Sequence, residues 1–371
     1  MTLPSLTARA REMLRLIHRT DGLSRSALIK LTGLSGTAVF RATEELEVAG
    51  LVTIGEAVAE GRGQPSAMIH VRPDAVLSLG LSIMTDRADV ALIDLTGKVR
   101  AQREITVPGM PRDAIVDAAM AFARETAEAN GIPYARIAGL GVAVAGYFVE
   151  ENSVNPGFEL DDWALIDLHR AIADRIGLPV MIENIAGACA IGERLLGAAG
   201  ALDSFAYVSV AAGFGGAIIN DRRLLRGQTG NAGEFGIFFS LLDRPTPNLV
   251  TLKEELEKHG VACADISDLV ARFDTGWPGI DQWIAAHADS FSRLFAILRN
   301  TLDSEAIVLG GRLPRPLAQR IIDAARWPEA SEPPRRDRPL PNPRLMVAGL
   351  PPEQSAPLGA ASLILARDVL G

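Results

Sequence analysis

Two polar residues near the middle of the chain lie where α/β proteins commonly bind ligands, and an isoleucine follows them. Glu183 and Asn184 stand at the end of an apolar run, and Ile185 begins a stretch of small residues that predicts a helix. The end of a strand followed by the start of a helix is a common binding position in this fold class. Proton transfer would require an acid or base at position 185, and isoleucine is neither. The segment therefore predicts either an enzyme that lost its catalyst or a pocket that only binds.

The composition is that of a globular protein of two or three domains. The chain has 371 residues, of which 48% are hydrophobic and 22% charged, values typical of globular domains. Cys189 and Cys263 are its only cysteines, too few for a disulfide framework or a cysteine-rich zinc site. No signal peptide is recognisable, and the longest apolar run is too short to span a bilayer. We therefore expect a soluble cytoplasmic protein.

The charge is unevenly distributed along the chain. Residues 1–72 contain nine Lys/Arg and seven Asp/Glu, a net charge of +2, and the remainder contains 28 and 38, a net charge of −10. These sum to the net charge of −8 for the whole chain. Only the N-terminal part is therefore expected to contact a polyanion.

Residues 1–73 predict a winged helix-turn-helix domain. Apolar residues at helical spacing indicate a first helix. Ser24 and Ser35 are good N-caps for a second and a third helix, and Gly33 is a good end for the second. The short turn between these two helices is the layout of a helix-turn-helix. Two strands around a tip at residues 61–65 complete the wing.

The third helix of this domain would fit the major groove of DNA, where its N-terminal residues reach the base edges. The residues expected at the DNA are Ser35, Gly36, Thr37 and Arg41 and, in the wing, Arg62. The alternative is a helical domain used for dimerisation or for contact with another protein. Caps, turn, wing and charge all agree with DNA binding, so we favour it.

The rest of the chain predicts an α/β fold built from two similar halves. Each half begins with a run of strands and continues with helices and a buried strand, which indicates two lobes with a cleft between them. We assign residues 74–190, completed by residues 350–371, to the first lobe. Residues 191–349 form the second.

Seven segments of these two lobes resemble the ROK family (repressors, open reading frames and kinases), whose fold is the duplicated, actin-like fold of sugar kinases. They are LGLSIMTDRADVALIDLTG, GVAVAGYF, LPVMIENIAGACAIGE, VSVAAGFGGAII, GQTGNAGEFG, IVLGGRLP and LGAASL. They occur in the family's order and span nearly all of residues 78–363. A winged helix ahead of them resembles the repressor branch of the family, which responds to sugars.

The resemblance implies that groups needed by a kinase of this family are missing. The position of the hairpin aspartate is Ser82, and the two glycine positions beside it are Met84 and Thr85. The phosphate-binding turn, residues 211–213, reads Ala-Ala-Gly and lacks its hydroxyl. The position of the catalytic base is Ile185. We therefore expect no phosphoryl transfer, no catalytic residues and no cofactor.

Two further family sites are not expected to be used. The histidine position of the family's structural zinc site is Ile237, and the loop that follows has no cysteine. Zinc needs about four ligands, so we predict no metal. Gly310 and Gly311 occupy positions of the nucleotide-side glycines, and we interpret them as a packing turn.

The residues that would hold a sugar are retained. Asn184 and Glu234 match the family's contacts to sugar hydroxyls, and Gly146 and Asn155 lie in segments that resemble its sugar-facing loops. Amide and carboxylate groups suit vicinal hydroxyls in a mostly apolar cleft. The alternative is that Asn184 caps the following helix and that Glu234 holds a loop.

Together these observations predict a sugar-responsive transcriptional regulator, favoured as a repressor of carbohydrate-utilisation genes. It would bind operator DNA as a homodimer or larger homo-oligomer and a sugar or sugar derivative as effector, with no membrane partner. One alternative is a sugar kinase that phosphorylates a hexose with ATP and carries a DNA-binding domain. The other is a regulator controlled by a protein partner, with an unused cleft.

Overall fold

The chain is divided into two compact units. The computed structural model describes residues 6–20, 22–58, 66–327, 336, 338 and 340–370. The first unit comprises residues 1–146, 152–183 and 360–371, and the second comprises residues 147–151 and 184–359. The N-terminal helices thus share a unit with the first α/β layer. The compact units divide the chain after residues 146, 151, 183 and 359. The domain boundaries expected from the sequence, after residues 73, 190 and 349, stay a prediction.

The first unit begins with three helices and a three-stranded sheet. The elements are α1 (Ala8–Arg19), β1 (Leu23–Ser24), α2 (Arg25–Thr32), α3 (Gly36–Val48), β2 (Val52–Val58) and β3 (Ser66–Val71). The strand order is β1-β3-β2, with antiparallel neighbours. The hydroxyls of Thr7, Ser24 and Ser35 cap the three helices by accepting a hydrogen bond from the backbone N–H three residues later.

Apolar residues spaced three and four apart form the core of this part. On α1, the fully buried residues Met13, Leu14 and Ile17 face α3 and β3. Leu28 on α2 and Leu46 on α3 are likewise fully buried. The helices and strands that the sequence predicted are therefore present, except that the tip between β2 and β3, residues 59–65, lies outside the described residues.

The first α/β layer contains a five-stranded mixed sheet. The chain from Leu77 to Asn184 forms β4 (Leu77–Ile83), β5 (Ala88–Asp94), β6 (Val99–Ile105), α4 (Arg112–Ala129), β7 (Ile137–Val144), β8 (Tyr147–Glu150), β9 (Ser153–Asn155), α5 (Leu168–Ile176) and β10 (Val180–Asn184), of which β8 belongs to the second unit. The sheet order is β10-β7-β4-β5-β6. β4, β5 and β6 form an antiparallel meander, and β7 runs parallel to β4. β4, β5 and β7 are buried along their whole length, as expected for central strands covered on both faces.

The second unit repeats this scheme. The elements are α6 (Ile185–Leu196), β11 (Phe205–Val210), β12 (Phe214–Asn220), β13 (Arg223–Leu224), α7 (Ile237–Leu241), α8 (Leu249–Lys258), α9 (Ile266–Arg272), α10 (Ile280–Leu302), β14 (Ala306–Gly311), α11 (Arg315–Ala324), β15 (Arg344–Val347) and α12 (Ser355–Ile364). The sheet order is β13-β12-β11-β14-β15, again an antiparallel meander followed by parallel strands. The predicted duplication of an α/β half is confirmed.

The C-terminal helix packs tightly against the first sheet through its last residues. A side chain at Gly141 on β7 would lie 1.9 Å from the backbone oxygen of Ala360, so only glycine allows this approach. Ser78 on β4 donates a hydrogen bond to the backbone oxygen of Ala361 at 2.6 Å. The sequence predicted that the C-terminal segment returns to the first lobe, and residues 360–370 do so.

A buried carboxylate fixes α6 within the second unit. Glu193 is fully buried and accepts hydrogen bonds from the backbone N–H groups of Ala198, Gly349 and Leu350 at 2.7–2.9 Å. Three donors satisfy a carboxylate that is shielded from solvent. No helix in the described part of the chain is long and apolar enough to cross a membrane.

Candidate functional site

One face of the N-terminal half of α3 is exposed to solvent, while Val39 and Ala42 on its other face are buried. Four of the five residues predicted to contact DNA lie there, and all four are exposed: Ser35, Gly36, Thr37 and Arg41. Ser35, Thr37 and Arg41 line one open groove. The fifth predicted contact, Arg62, lies outside the described residues. The structure therefore brings the predicted residues of α3 to one surface.

A tight turn sets the direction of α3. Gly33 ends α2 in the left-handed conformation, with φ of +67°, and its N–H donates to the backbone oxygen of Ile29 at 2.9 Å. The Arg25 guanidinium lies 4.7 Å from the centre of the Phe40 ring, and its Nε donates to the Thr43 hydroxyl at 2.9 Å. These contacts hold α2 against α3 and fix the exposed face of α3.

A contact that the sequence did not predict joins α1 to α3. The backbone N–H and the hydroxyl of Thr7 donate to the two carboxylate oxygens of Glu45 at 2.7 and 2.8 Å. Both residues line the groove beside α3, together with Arg9. No local pattern indicates this contact, because Thr7 and Glu45 are 38 positions apart.

Asn184 lies at the junction of β10 and α6. Its Oδ1 caps α6 by accepting a hydrogen bond from the backbone N–H of Ala186 at 2.7 Å. The side chain is half-buried, and so is that of Ile185, the first residue of the helix. The capping role that the sequence offered as an alternative is therefore present. A cap occupies the oxygen of the amide and is compatible with a second role for its NH₂ group.

Glu234 lies between β13 and α7, on a segment anchored to β12. A side chain at Gly233 would lie 2.6 Å from the Gly216 backbone oxygen, and one at Gly216 would overlap the buried Phe235 ring. Glu234 is exposed, and desolvation of its carboxyl by the surrounding protein atoms raises its pKa. The first turn of α6 reaches the same strand, since a side chain at Gly215 would contact Ala186 at 3.9 Å. Both predicted sugar contacts of this unit therefore flank β12.

Gly146 and Asn155 lie next to each other in the first unit. The φ angle of Gly146 is +142°, and a side chain there would lie 2.8 Å from the backbone oxygen of Asn155. Glycine is therefore required by both conformation and space. The structure brings these two predicted effector residues together.

The positions matched to kinase residues have other packing roles. Ser82 and Met84 are buried, and the turn from Met84 is closed by a hydrogen bond from its N–H to the backbone oxygen of Arg87 at 2.9 Å. The turn at residues 211–213 is closed by a hydrogen bond from the Ala211 N–H to the Gly213 oxygen. The turn at residues 211–213 carries no acidic side chain, whereas the turn from Met84 to Arg87 contains Asp86.

Tyr207, which the sequence did not indicate, accounts for the two consecutive glycines at positions 310 and 311. Its hydroxyl accepts a hydrogen bond from the Gly311 N–H at 2.7 Å. A side chain at Gly310 would lie 2.6 Å from the same hydroxyl. These contacts are those of a packing turn. Ile237 is exposed at the start of α7, and among the described residues no group of three His, Cys, Asp or Glu could hold a metal ion.

Comparison with known proteins gives three informative similarities. Xylose repressor from Bacillus subtilis is 30% identical over 231 residues, which cover 60% of this chain and 58% of the repressor. Glucokinase from Streptomyces coelicolor is 32% identical over 160 residues, 43% of this chain and 49% of the kinase. The match thus spans 58% of the repressor and about half of the kinase. The crystal structure of a ROK family transcriptional regulator, a homologue of the E. coli MLC protein, superimposes with a TM-score of 0.69 at 23% identity.

That superposition covers 97% of this chain and 96% of the regulator, so the fold is shared over nearly the whole length. Residues 78–240 match the ROK family. They include the first sheet and β11, β12 and β13 of the second, the region that holds all four candidate effector residues. Residues 78–240 therefore form a ROK family domain, and the chain is similar in sequence to part of a xylose repressor and in fold to a ROK family regulator.

Proposed function

We propose that the chain is a sugar-responsive transcriptional regulator. It binds DNA through a winged helix-turn-helix formed by α1, α2, α3 and the strands β1, β2 and β3. The observation that carries the proposal is the exposed face of the N-terminal half of α3, held by the Gly33 turn and presenting Thr37 and Arg41. A helix presented in this way fits the major groove, and the xylose repressor among the relatives supports a repressor.

The effector is proposed to be a sugar or a sugar derivative. Asn184 and Glu234 flank β12 in the second unit, and Asn155 lies beside Gly146 in the first. Their amide and carboxyl groups match sugar hydroxyls. Ile185 and Ile237 replace polar residues in this region, so we propose a ligand that is less polar than the family's usual sugars.

A physical link between the DNA-binding helices and the ROK part supports regulation. Arg15 on α1 donates from Nε to the backbone oxygen of Leu370 at 2.9 Å. His18 on the same helix contacts the turn after β5 at Leu95. A change in the first α/β layer on sugar binding would therefore reach α1. Such coupling is typically worth about 1–3 kcal/mol, or about 5–150-fold in affinity.

Sugar kinase activity is the second candidate, favoured by the similarity to glucokinase. Ile185 cannot accept a proton, which argues against it. Met84 and Thr85 also add side chains at positions where the resemblance expects glycine beside the phosphates. We therefore propose that the ROK part binds its sugar without phosphorylating it.

Fluorescence anisotropy of labelled DNA from the protein's own upstream region tests this function. The protein is titrated at fixed salt, with and without xylose, glucose and N-acetylated sugars. We expect that the protein binds this DNA specifically and that one of the sugars changes the affinity.

Arg41→Ala should weaken specific DNA binding by about 1–3 kcal/mol, the cost of losing a base contact. Arg244→Ala, which removes an exposed arginine of the second unit, is the control and should leave binding unchanged.

Three other outcomes would change the proposal. Specific binding that no sugar shifts would favour control by a protein partner. Equal losses for Arg41→Ala and Arg244→Ala would show that α3 is not the reading helix. Absence of DNA binding together with phosphorylation of a hexose by ATP would favour the kinase.

A further inference from the structure

The groove beside α3 has a second wall, formed by the first turn of α1. The polar residues that line it are Thr7, Arg9, Ser35, Thr37, Arg41 and Glu45. Thr7 and Arg9 belong to the α1 side, and the other four belong to α3 and its cap. The groove therefore continues the surface of α3 onto a helix that the proposed base contacts do not use.

The α1 wall is held in place by hydrogen bonds. Glu45 accepts from both the N–H and the hydroxyl of Thr7, and the same hydroxyl accepts from the Ala10 N–H at 3.2 Å. Hydrogen bonds to a charged acceptor are the stronger ones, and two of them also fix orientation. The single carboxylate in the groove is therefore occupied in orienting α1.

The two guanidinium groups of the groove are available to a ligand. Arg9 and Arg41 are both exposed, and no hydrogen bond or ion pair involves either side chain within the described part of the chain. Ser35 and Thr37, which carry hydroxyls, line the same groove on the α3 side. Guanidinium and hydroxyl groups facing one groove suit a phosphodiester oxygen.

We propose that Arg9 binds a DNA backbone phosphate in this groove, beside the contacts of α3, and that Thr7 and Glu45 position it. This inference rests on the proposed DNA-binding function and adds a contact to it. The Arg9 contact is independent of sequence. It determines how deeply α3 enters the major groove of the DNA and at which base pairs it lies, without itself contacting a base.

Salt titration on a random-sequence 30-base-pair duplex tests Arg9, because non-specific binding depends almost entirely on phosphates. Arg9→Gln is compared with Arg19→Gln, which removes the same charge about 15 Å further along α1. Loss of one phosphate contact should lower the salt slope by about 0.9, and affinity about eightfold at 0.1 M salt. Arg19→Gln should change the slope by less than half as much.

The positioning pair is tested with a variant that keeps every charge. Thr7→Val removes the hydroxyl that bonds Glu45. It should weaken binding and lower the salt slope in the otherwise unchanged protein, because Arg9 is no longer held. In the Arg9→Gln background it should have no further effect on the slope. A merely structural role would instead lower affinity by the same factor in both backgrounds.

The outcomes separate the inference from the function on which it rests. If Arg9→Gln and Arg19→Gln lower the slope equally while the unchanged protein still binds a specific site, the inference is wrong and the function stands. If the unchanged protein binds no duplex in a salt-dependent way, the proposed function itself fails. Far-ultraviolet circular dichroism of each variant confirms that the helices are retained.

Discussion

Asn184 has one observed role, as a helix cap, and one proposed role, as a contact to the effector. Its oxygen caps α6, and its amide NH₂ is proposed to contact the sugar. Asn248 is a natural comparison, because it caps α8 in the same unit by accepting from the Thr251 N–H at 2.9 Å. The two asparagines share the capping role, and only Asn184 is a candidate for the effector.

Substitution of these asparagines distinguishes the roles. Asn184→Ala and Asn248→Ala should each cost about 1 kcal/mol of stability through loss of a cap. Only Asn184→Ala should also abolish the shift in DNA binding caused by the effective sugar. Asn184→Asp should keep the cap, since aspartate caps equally well, and still lose the sugar response for want of a donor. Thermal unfolding and anisotropy measure the two effects, and a normal response in Asn184→Asp would remove this residue from the effector site.

Single residues were predictable where the signal is local. Ser24, Ser35 and Asn184 could be assigned as caps because a cap and its helix are neighbours in the chain. The roles of Glu45 and Tyr207 could not be predicted. Glu45 bonds a residue 38 positions away, and Tyr207 bonds Gly311, which is 104 positions away.

At the scale of elements, the turn between α2 and α3 determines how α3 is presented. Gly33 has a left-handed backbone, and a side chain there would meet no atom within 4 Å. Only conformation therefore requires glycine at this position. Gly36, in the first turn of α3, has an ordinary backbone, and a side chain there would touch Ile29 at 3.7 Å, a normal contact.

The pair allows a matched test of the turn. Gly33→Ala should destabilise the packing of α2 against α3 by about 1–2 kcal/mol, because a residue other than glycine is strained in the left-handed conformation. Gly36→Ala introduces the same methyl group into a helix and should not destabilise it. Hydrogen exchange of backbone amides in α2 and α3 measures the local opening free energy. Equal protection in both variants would show that the turn does not limit the stability of these helices.

Elements were predictable where periodicity and caps are strong, and their pairing was predictable only in part. The bounds of α2 and α4 lie within one or two residues of the turn signals in the sequence. The antiparallel meanders follow from short connections between strands. By contrast, the pairing of β10 beside β7 and of β15 beside β14 joins segments separated by helices, and no residue pattern specifies it.

At the scale of the whole chain, each unit contains a histidine with a buried ring nitrogen. Burial lowers the pKa of His18 below 6.5, opposed by a hydrogen bond at the Leu95 backbone and by the charge of Asp94. Burial also lowers the pKa of His287, opposed by the charge of Glu255. Both imidazoles are therefore kept neutral in the folded protein near neutral pH.

The sign of the resulting pH dependence follows from linkage. The unfolded chain binds protons at these histidines below pH 6.5, and the folded chain binds them only at lower pH. Their contribution to stability is complete above pH 6.5 and is lost as pH falls through the lowered pKa values. The loss is at most about 1.4 kcal/mol per pH unit for each histidine.

Urea unfolding at pH 7.5 and pH 5.5, followed by circular dichroism, tests this expectation. The unchanged protein should unfold at a lower urea concentration at pH 5.5, and the difference should shrink in His18→Gln and in His287→Gln. His169→Gln alters an exposed histidine of α5 and should leave the difference unchanged. An equal reduction by His169→Gln would show that burial is not the cause. Because His18 lies on α1 and faces the turn after β5, its protonation should also loosen the helices proposed to bind DNA from the first α/β layer. Hydrogen exchange in α1 should therefore rise at pH 5.5 in the unchanged protein and rise less in His18→Gln.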